Sequence, residues 1–395
     1  MKNFTMALGV AGLSASAAVA GGVDRSGQPI GALFENGNYF ELSFGSINPS
    51  VSGSDLTPYG TQTGSVAGNH TLPGLALKYQ FNDRVSGALI YDQAYGADIH
   101  YPTFSGFAGT GSYMLGGTFA TVDSQGVTGL LRYKFDQGFS VHGGVRVTKA
   151  SGAVGLRGVA YGPAFNPADP ATYRSFNGHT ADLSDDWGAG FIVGGAYERP
   201  DIALRVTVTY FSKINHKFDT VETLPGGAAA AMGVTTLTSV TSVDTPQAVN
   251  IDAQTGIMAD TLLFGSIRWV DWSGFRIDPQ WFTAANGGEG LVALEDTTTY
   301  TLGIGRKFND NWSGSIFATY EPKGDPLVSP LAPTNGYKGI GVAAVYTQDN
   351  MKVTLGVRYL DLGNADAETG TPDVARARMA DNHAVAVGLK VGFTF

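Results

Sequence analysis

Five arginines stand on faces of alternating segments that otherwise carry small or polar side chains: Arg132, Arg146, Arg205, Arg268 and Arg358. Leu130, Phe211, Phe264 and Phe317 fall on the equivalent, inward-pointing parity. A guanidinium matches a carboxylate bidentately, so these positions are the first candidates for anion recognition. The plainer alternative is that each Arg pairs with an acid on the same face, such as Glu198 or Glu321. Asp98-Ile99-His100 offers an Asp/His pair able to activate water as a general base, yet the chain has no G-x-S-x-G nucleophile elbow. The six His show no metal-ligand spacing, and without Cys there is neither a thiolate site nor a disulfide framework. Gly339–Ala344 fits a relaxed G-x-G-x-x-A pattern, but inside an alternating segment with no helix after it. Asn69-His70-Thr71 reads as loop chemistry. No catalytic residue, metal or cofactor is implied.

The elements that must position these residues are strands. Val353, Leu355, Val357 and Tyr359 alternate with Lys352, Thr354, Gly356 and Arg358, and Ile202–Tyr210 repeats the pattern. Period-2 alternation marks a strand with two unlike faces. Such segments fall at 38–51, 72–82, 84–97, 118–135, 138–157, 184–199, 201–219, 234–254, 259–276, 293–307, 311–322, 336–348, 351–362 and 382–395. Between them, short turns around 83, 137, 200, 258, 310 and 349 alternate with long Gly/Pro/Thr-rich connections. An even strand number with short turns at one end and long loops at the other is the layout of an outer-membrane barrel.

We therefore expect an all-β fold, a transmembrane antiparallel β-barrel of 14 strands with its apolar face toward outer-membrane lipid. Tyr133, Phe135, Tyr210, Tyr300, Trp312, Tyr320 and Tyr346 suit interfacial girdles. Only 15% of the residues are charged, 55 of the 395 are Gly, and no run approaches a helical membrane span. The net charge of −9 argues against nucleic acid as a partner. Lys2, the small apolar run to Ala20 and Ala18-Val19-Ala20 predict a signal peptide over 1–20, a short plug segment over 21–37 and the barrel over 38–395. The terminal Phe395 resembles the C-terminal aromatic signature read by the barrel-assembly machinery.

The stretch "DTPQAVNIDAQTGIMADTLLFGSIRWVDWSGF" and, further on, "YTLGIGRKFNDNWSGSIFATYEPKGDPLVSPLAPTNGYKGIGVAAVYTQDNMKVTLGVRYLDLG" resemble the C-terminal half of the FadL-type outer-membrane transporters of hydrophobic compounds. The resemblance covers about the last 150 residues well and implies a fourteen-stranded barrel in the outer membrane of a Gram-negative bacterium. It also implies passive diffusion of a hydrophobic small molecule, foremost a long-chain fatty acid, past a plug and out sideways between strands. An inward Arg would then hold the head group while the rings hold the chain. Members of that family usually carry a plug of some forty residues with an Asn-Pro-Ala segment, whereas here only Gly21–Asn36 precedes "GNYFELSFG" and Asn48-Pro49-Ser50 lies at the far end of the first strand. A shortened plug entering from the periplasmic side is the expectation. A general hydrophilic porin and an outer-membrane hydrolase are the alternatives.

Overall fold

The computed structural model describes residues 23–56, 58–106, 110–370 and 373–395; the expected signal peptide lies outside them. Fourteen staves form the wall. They are β1 (Tyr39–Ser50), β2 (His70–Gln80), β3 (Val85–Asp92, resumed at Gly96–His100), β4 (Phe119–Lys134), β5 (Phe139–Leu156), β6 (His179–Arg199) and β7 (Leu204–Phe211, resumed at Ile214–Thr223). They continue as β8 (Thr236–Thr245, resumed at Ala248–Met258), β9 (Thr261–Val270), β10 (Thr297–Lys307), β11 (Trp312–Glu321), β12 (Tyr337–Gln348), β13 (Met351–Leu362) and β14 (Asn382–Thr394). Each pairs antiparallel with the next, and β1 pairs with β14 from Tyr39↔Thr394 to Ser50↔His383, so the sheet closes without an edge.

The wall is inside out relative to a water-soluble core. Leu131, Leu302 and Leu355 point outward and are 61%, 63% and 51% exposed, while Thr209, Thr354 and Lys78 point inward and are 0%, 0% and 2% exposed. Such a surface is stable only in hydrocarbon. At the turn end the aromatic pairs Tyr79–Phe81, Tyr133–Phe135, Phe139–Tyr197 and Trp312–Tyr346 form a girdle, with ring centroids 5.2, 4.9, 4.7 and 5.0 Å apart. The tightest hairpins close on Asp260 (φ 58°) and Asp349 (φ 50°), left-handed positions that Asp tolerates better than most residues.

Three staves are broken, which simple alternation does not reveal. At Ser212-Lys213 in β7 an extra residue resets the parity, so Phe211 and Ile214 are both buried inward. Pro246-Gln247 does the same in β8, where Val243 and Ala248 both face in. In β3 the break is Gln93–Tyr95. Strand ends also differ from the sequence expectation. β6 starts at His179 rather than 184 because Leu156 and Gly155 of a tall β5 pair with it. β9 stops at Val270 rather than 276 because Trp272 turns inward and is 1% exposed.

Above the barrel the long loops build a second, four-stranded sheet from Gly53–Asp55, Leu327–Val328, Ala365–Thr369 and Val374–Met379. Buried Asp55 binds it to the β3–β4 loop, accepting from Ser112 Oγ at 2.6 Å and from the Tyr113 and Met114 amides at 2.6 and 3.0 Å.

Two measurements check this arrangement. Leu302→Arg places a cation on the lipid face and should cost about 2–4 kcal/mol if near the bilayer midplane, read from denaturant titrations in lipid vesicles; a neutral substitution would mean this face is not lipid-exposed. In the cap, partial burial first and then the Asp373 carboxylate push the Glu368 carboxyl up to about 7. The protonated form is therefore favoured when the cap is folded. Its stabilising contribution is full below the ordinary carboxylate range and is lost as pH rises through about 7. Trypsin cleavage at Arg376 and Arg378, normalised to an unfolded peptide, should accelerate between pH 5 and 8, and Glu368→Gln should flatten that slope.

Candidate functional site

The N-terminal segment from Val23 to Gly37 lies within the barrel, and the inward arginines hold it there. Arg268 Nε donates to Asp24 Oδ2 at 2.6 Å, and its other nitrogens donate to Asn250 at 2.8 Å and Gln28 at 3.2 Å. Arg146 pairs with Asp92 at 2.7 Å, and Asp92 accepts from the Ser26 hydroxyl. Arg132 pairs with Glu198 and lies 4.4 Å over the Phe34 ring, which Arg205 approaches to 5.0 Å. Lys78 closes the segment's exit by donating to the Glu35 and Gly37 carbonyls at 2.8 and 2.7 Å and to Gln80 at 2.7 Å. A buried ammonium is tolerated there because all three of its donors are used.

All nine lumen residues expected from parity do face inward, but they do not converge. Arg132, Arg205, Leu130 and Phe211 surround Phe34 or share its cluster. Arg358 stands 5.8 Å from the Tyr337 ring on another wall. Phe264 and Phe317 lie across glycines: a Cβ on Gly303 would fall 2.3 Å from one ring and 2.6 Å from the Cβ of the other, and Gly341 likewise admits Phe317. Phe395 is 64% exposed at the turn end. Among the described residues no His/Cys/Asp/Glu group has the makings of a metal site, and His100, from the Asp/His pair, stacks on Phe119 at 6.3 Å.

A pocket under the β9–β10 loop is lined by residues that parity did not single out. Trp272 and Phe275, from the β9–β10 loop, cover it; Val122, Val154, Leu183 and Phe218 form its wall and Val23 its floor. Phe218 belongs to the second half of β7, and only the Ser212-Lys213 break turns it inward. The sequence signal was the Trp-Val-Asp-Trp segment, whose second Trp leaves the sheet.

The break in β3 joins this pocket to the wall. Tyr95 swings inward against Trp272, ring centroids 5.7 Å apart. Its backbone is satisfied by one hydroxyl: Ser124 accepts from the Tyr95 amide at 3.0 Å and donates to its carbonyl at 2.7 Å. The N-terminal segment supplies the rest, with Arg25 N–H donating to the Ala94 carbonyl at 2.7 Å and Gly96 N–H to that of Val23 at 2.8 Å. The cost falls on β2. It pairs with β3 only from Leu75↔Tyr91 to Gln80↔Ser86, leaving His70–Gly74 without a ladder partner on that side. A second cavity sits at this gap, lined by Val23, Arg25, His70, Asp98, Pro49 and Leu331 among others.

A closed barrel with a lipid-facing exterior and a partly filled, carbon-lined lumen defines an outer-membrane channel protein. Residues 11–325 match the family described as outer membrane protein transport protein (OMPP1/FadL/TodX), and the chain belongs to that family. Its fold is similar to that of a Pseudomonas aeruginosa FadL homologue (TM-score 0.72, 17% identity, 92% of each chain covered). It is similar also to the Pseudomonas putida toluene transporter TodX (TM-score 0.60, 14% identity, 96% of each chain) and the Ralstonia pickettii toluene transporter TbuX (TM-score 0.59, 14% identity, 92% of this chain and 93% of that one). No curated protein matches the chain by sequence. The protein is thus an outer-membrane transport protein and not an enzyme.

Lys78→Met should loosen the N-terminal segment, since it removes three donors and leaves buried carbonyls bare. A loss of about 3 kcal/mol, one or two charge-assisted hydrogen bonds, is expected in the free energy of segment release, measured by hydrogen exchange of residues 30–37. Unchanged exchange would show that Lys78 does not fasten the segment.

Proposed function

We propose that this protein conducts hydrophobic compounds passively across the outer membrane and that its cargo is a long-chain fatty acid. The carbon-lined pocket beneath Trp272 is the observation that supports this most. An alkyl chain leaving water for such a site gains about 0.8 kcal/mol per CH₂, which a hydrated pore cannot offer. Two of the relatives are named as toluene transporters, and an aromatic hydrocarbon would suit the same lining. The layout favours a longer guest. Val23 borders both the pocket and the gap cavity. A chain lying across Val23 would reach both, whereas a single ring would sit in one.

In this reading the cargo enters under the β9–β10 loop, rests in the pocket and leaves sideways where β2 and β3 part. Arg132, Arg146, Arg205 and Arg268 act through the N-terminal segment they fasten, while Phe264 and Phe317 smooth the opposite wall. A hydrophilic porin would present facing charge rings at an inward-folded constriction loop; here the inward loop delivers Trp272 and Phe275.

The reading is tested in liposomes with refolded protein and three solutes: labelled oleate, toluene and a small sugar. Facilitated oleate entry with no sugar flux is expected. Sugar flux without oleate entry would overturn transport of hydrophobic compounds altogether, and toluene entry without oleate would overturn only the choice of cargo.

A further inference from the structure

The gap between β2 and β3 is not lined by carbon alone. Arg25 sits in it, 6% exposed, with its guanidinium flat against Gly96, where an added Cβ would fall 2.3 Å from Cζ. Only glycine leaves room for it. Arg25 is held by its backbone, through the Ala94 carbonyl, yet among the described residues its side chain makes no hydrogen bond or ion pair and its Nε is buried without a partner. His70 Nε2, on the part of β2 that lacks a ladder to β3, is buried and unpartnered beside the same cavity.

An unpartnered buried guanidinium is costly. Every other arginine that faces the lumen engages a side chain or ring, so the exception invites a ligand. Asp98 and Asp123 attract it electrostatically but neither forms an ion pair with it. Asp98 lies instead over Gly68, another position where a Cβ would collide with its carboxylate, at 1.9 Å. The two acids keep a cation in the gap without using its donors.

We propose that Arg25 and His70 form a carboxylate subsite in this side opening, which receives the head group of an amphipathic acid while its chain still lies across Val23 in the dry pocket. The inference rests on the transport reading above. It adds a chemical filter at the exit: a planar carboxylate takes two guanidinium N–H groups in parallel, and a neutral alcohol or hydrocarbon of the same length cannot. The head group then emerges at the lipid boundary with its charge compensated until it reaches the polar surface of the membrane.

The test measures binding of laurate and of 1-dodecanol, matched in length, to the full barrel in detergent micelles. Arg25→Gln should lower the laurate-to-dodecanol affinity ratio about tenfold, the order of one charge-assisted hydrogen bond, with Arg25→Lys between wild type and Gln. Asp98→Asn, which removes a competing carboxylate and leaves Arg25 in place, should raise the ratio about threefold, the scale of a partly screened charge pair. An unchanged ratio in both Arg25→Gln and Asp98→Asn, with each variant running as a folded, heat-modifiable barrel, would overturn the subsite. So would a wild type that binds dodecanol and toluene but not laurate, a result that leaves transport of hydrophobic compounds standing. A wild type that binds none of the three would remove the transport reading and the subsite together.

Discussion

In the hydrocarbon layer a backbone N–H or C=O that lacks a protein partner has no water to turn to, and this single constraint organises the molecule. It requires the closure of β1 on β14. It also makes the break at Gln93–Tyr95 the most consequential point in the wall, because a strand can leave the ladder there only if something else takes its bonds. Ser124 and the backbone of Val23 and Arg25 take them. The N-terminal segment is therefore part of the wall as well as a filling of the lumen. Any movement of it must disturb the β3 break, and any widening of the gap must disturb the segment.

The same economy explains the arginines. A barrel interior needs charge and hydrogen bonding to satisfy its polar face, and Arg supplies five donors in a rigid fork. Arg268 spends them on Asp24, Gln28 and Asn250, and Arg146 engages Asp92 and Thr128 through Nη1. These contacts turn a loose peptide into an ordered insert. The dry pocket then exists because the loop carrying Trp272 folds down toward Val23, with a lining that is almost all carbon. Polar fastening below and apolar capture above are two parts of one construction.

Much of this was legible in the chain. Strict alternation, six short turns and the long loops between them are direct consequences of a pleated sheet spanning a bilayer, so the strand number and the inward parity of Arg205 or Arg358 could be read from spacing alone. The pocket could not. Its wall depends on Phe218 facing in, and a parity count begun at Leu204 predicts the opposite for that residue, because one extra residue at Ser212-Lys213 leaves no compositional mark. Pro246 was a visible warning in β8; nothing comparable announced Gln93–Tyr95. Likewise the partners of Arg268 lie 244 and 240 residues away at Asp24 and Gln28, and no pattern within a strand reports contacts at that separation.

The central claim is that residues 23–35 both fill the lumen and support the wall at β3. Single-channel conductance of the intact protein beside a variant lacking those residues tests it most directly. The account predicts almost no steady current through the intact barrel and a large, ohmic, noisy current once the segment is gone, the noise arising from a β3 break that has lost its backbone partners. An intact protein that already carries the same steady current as the deletion would contradict it.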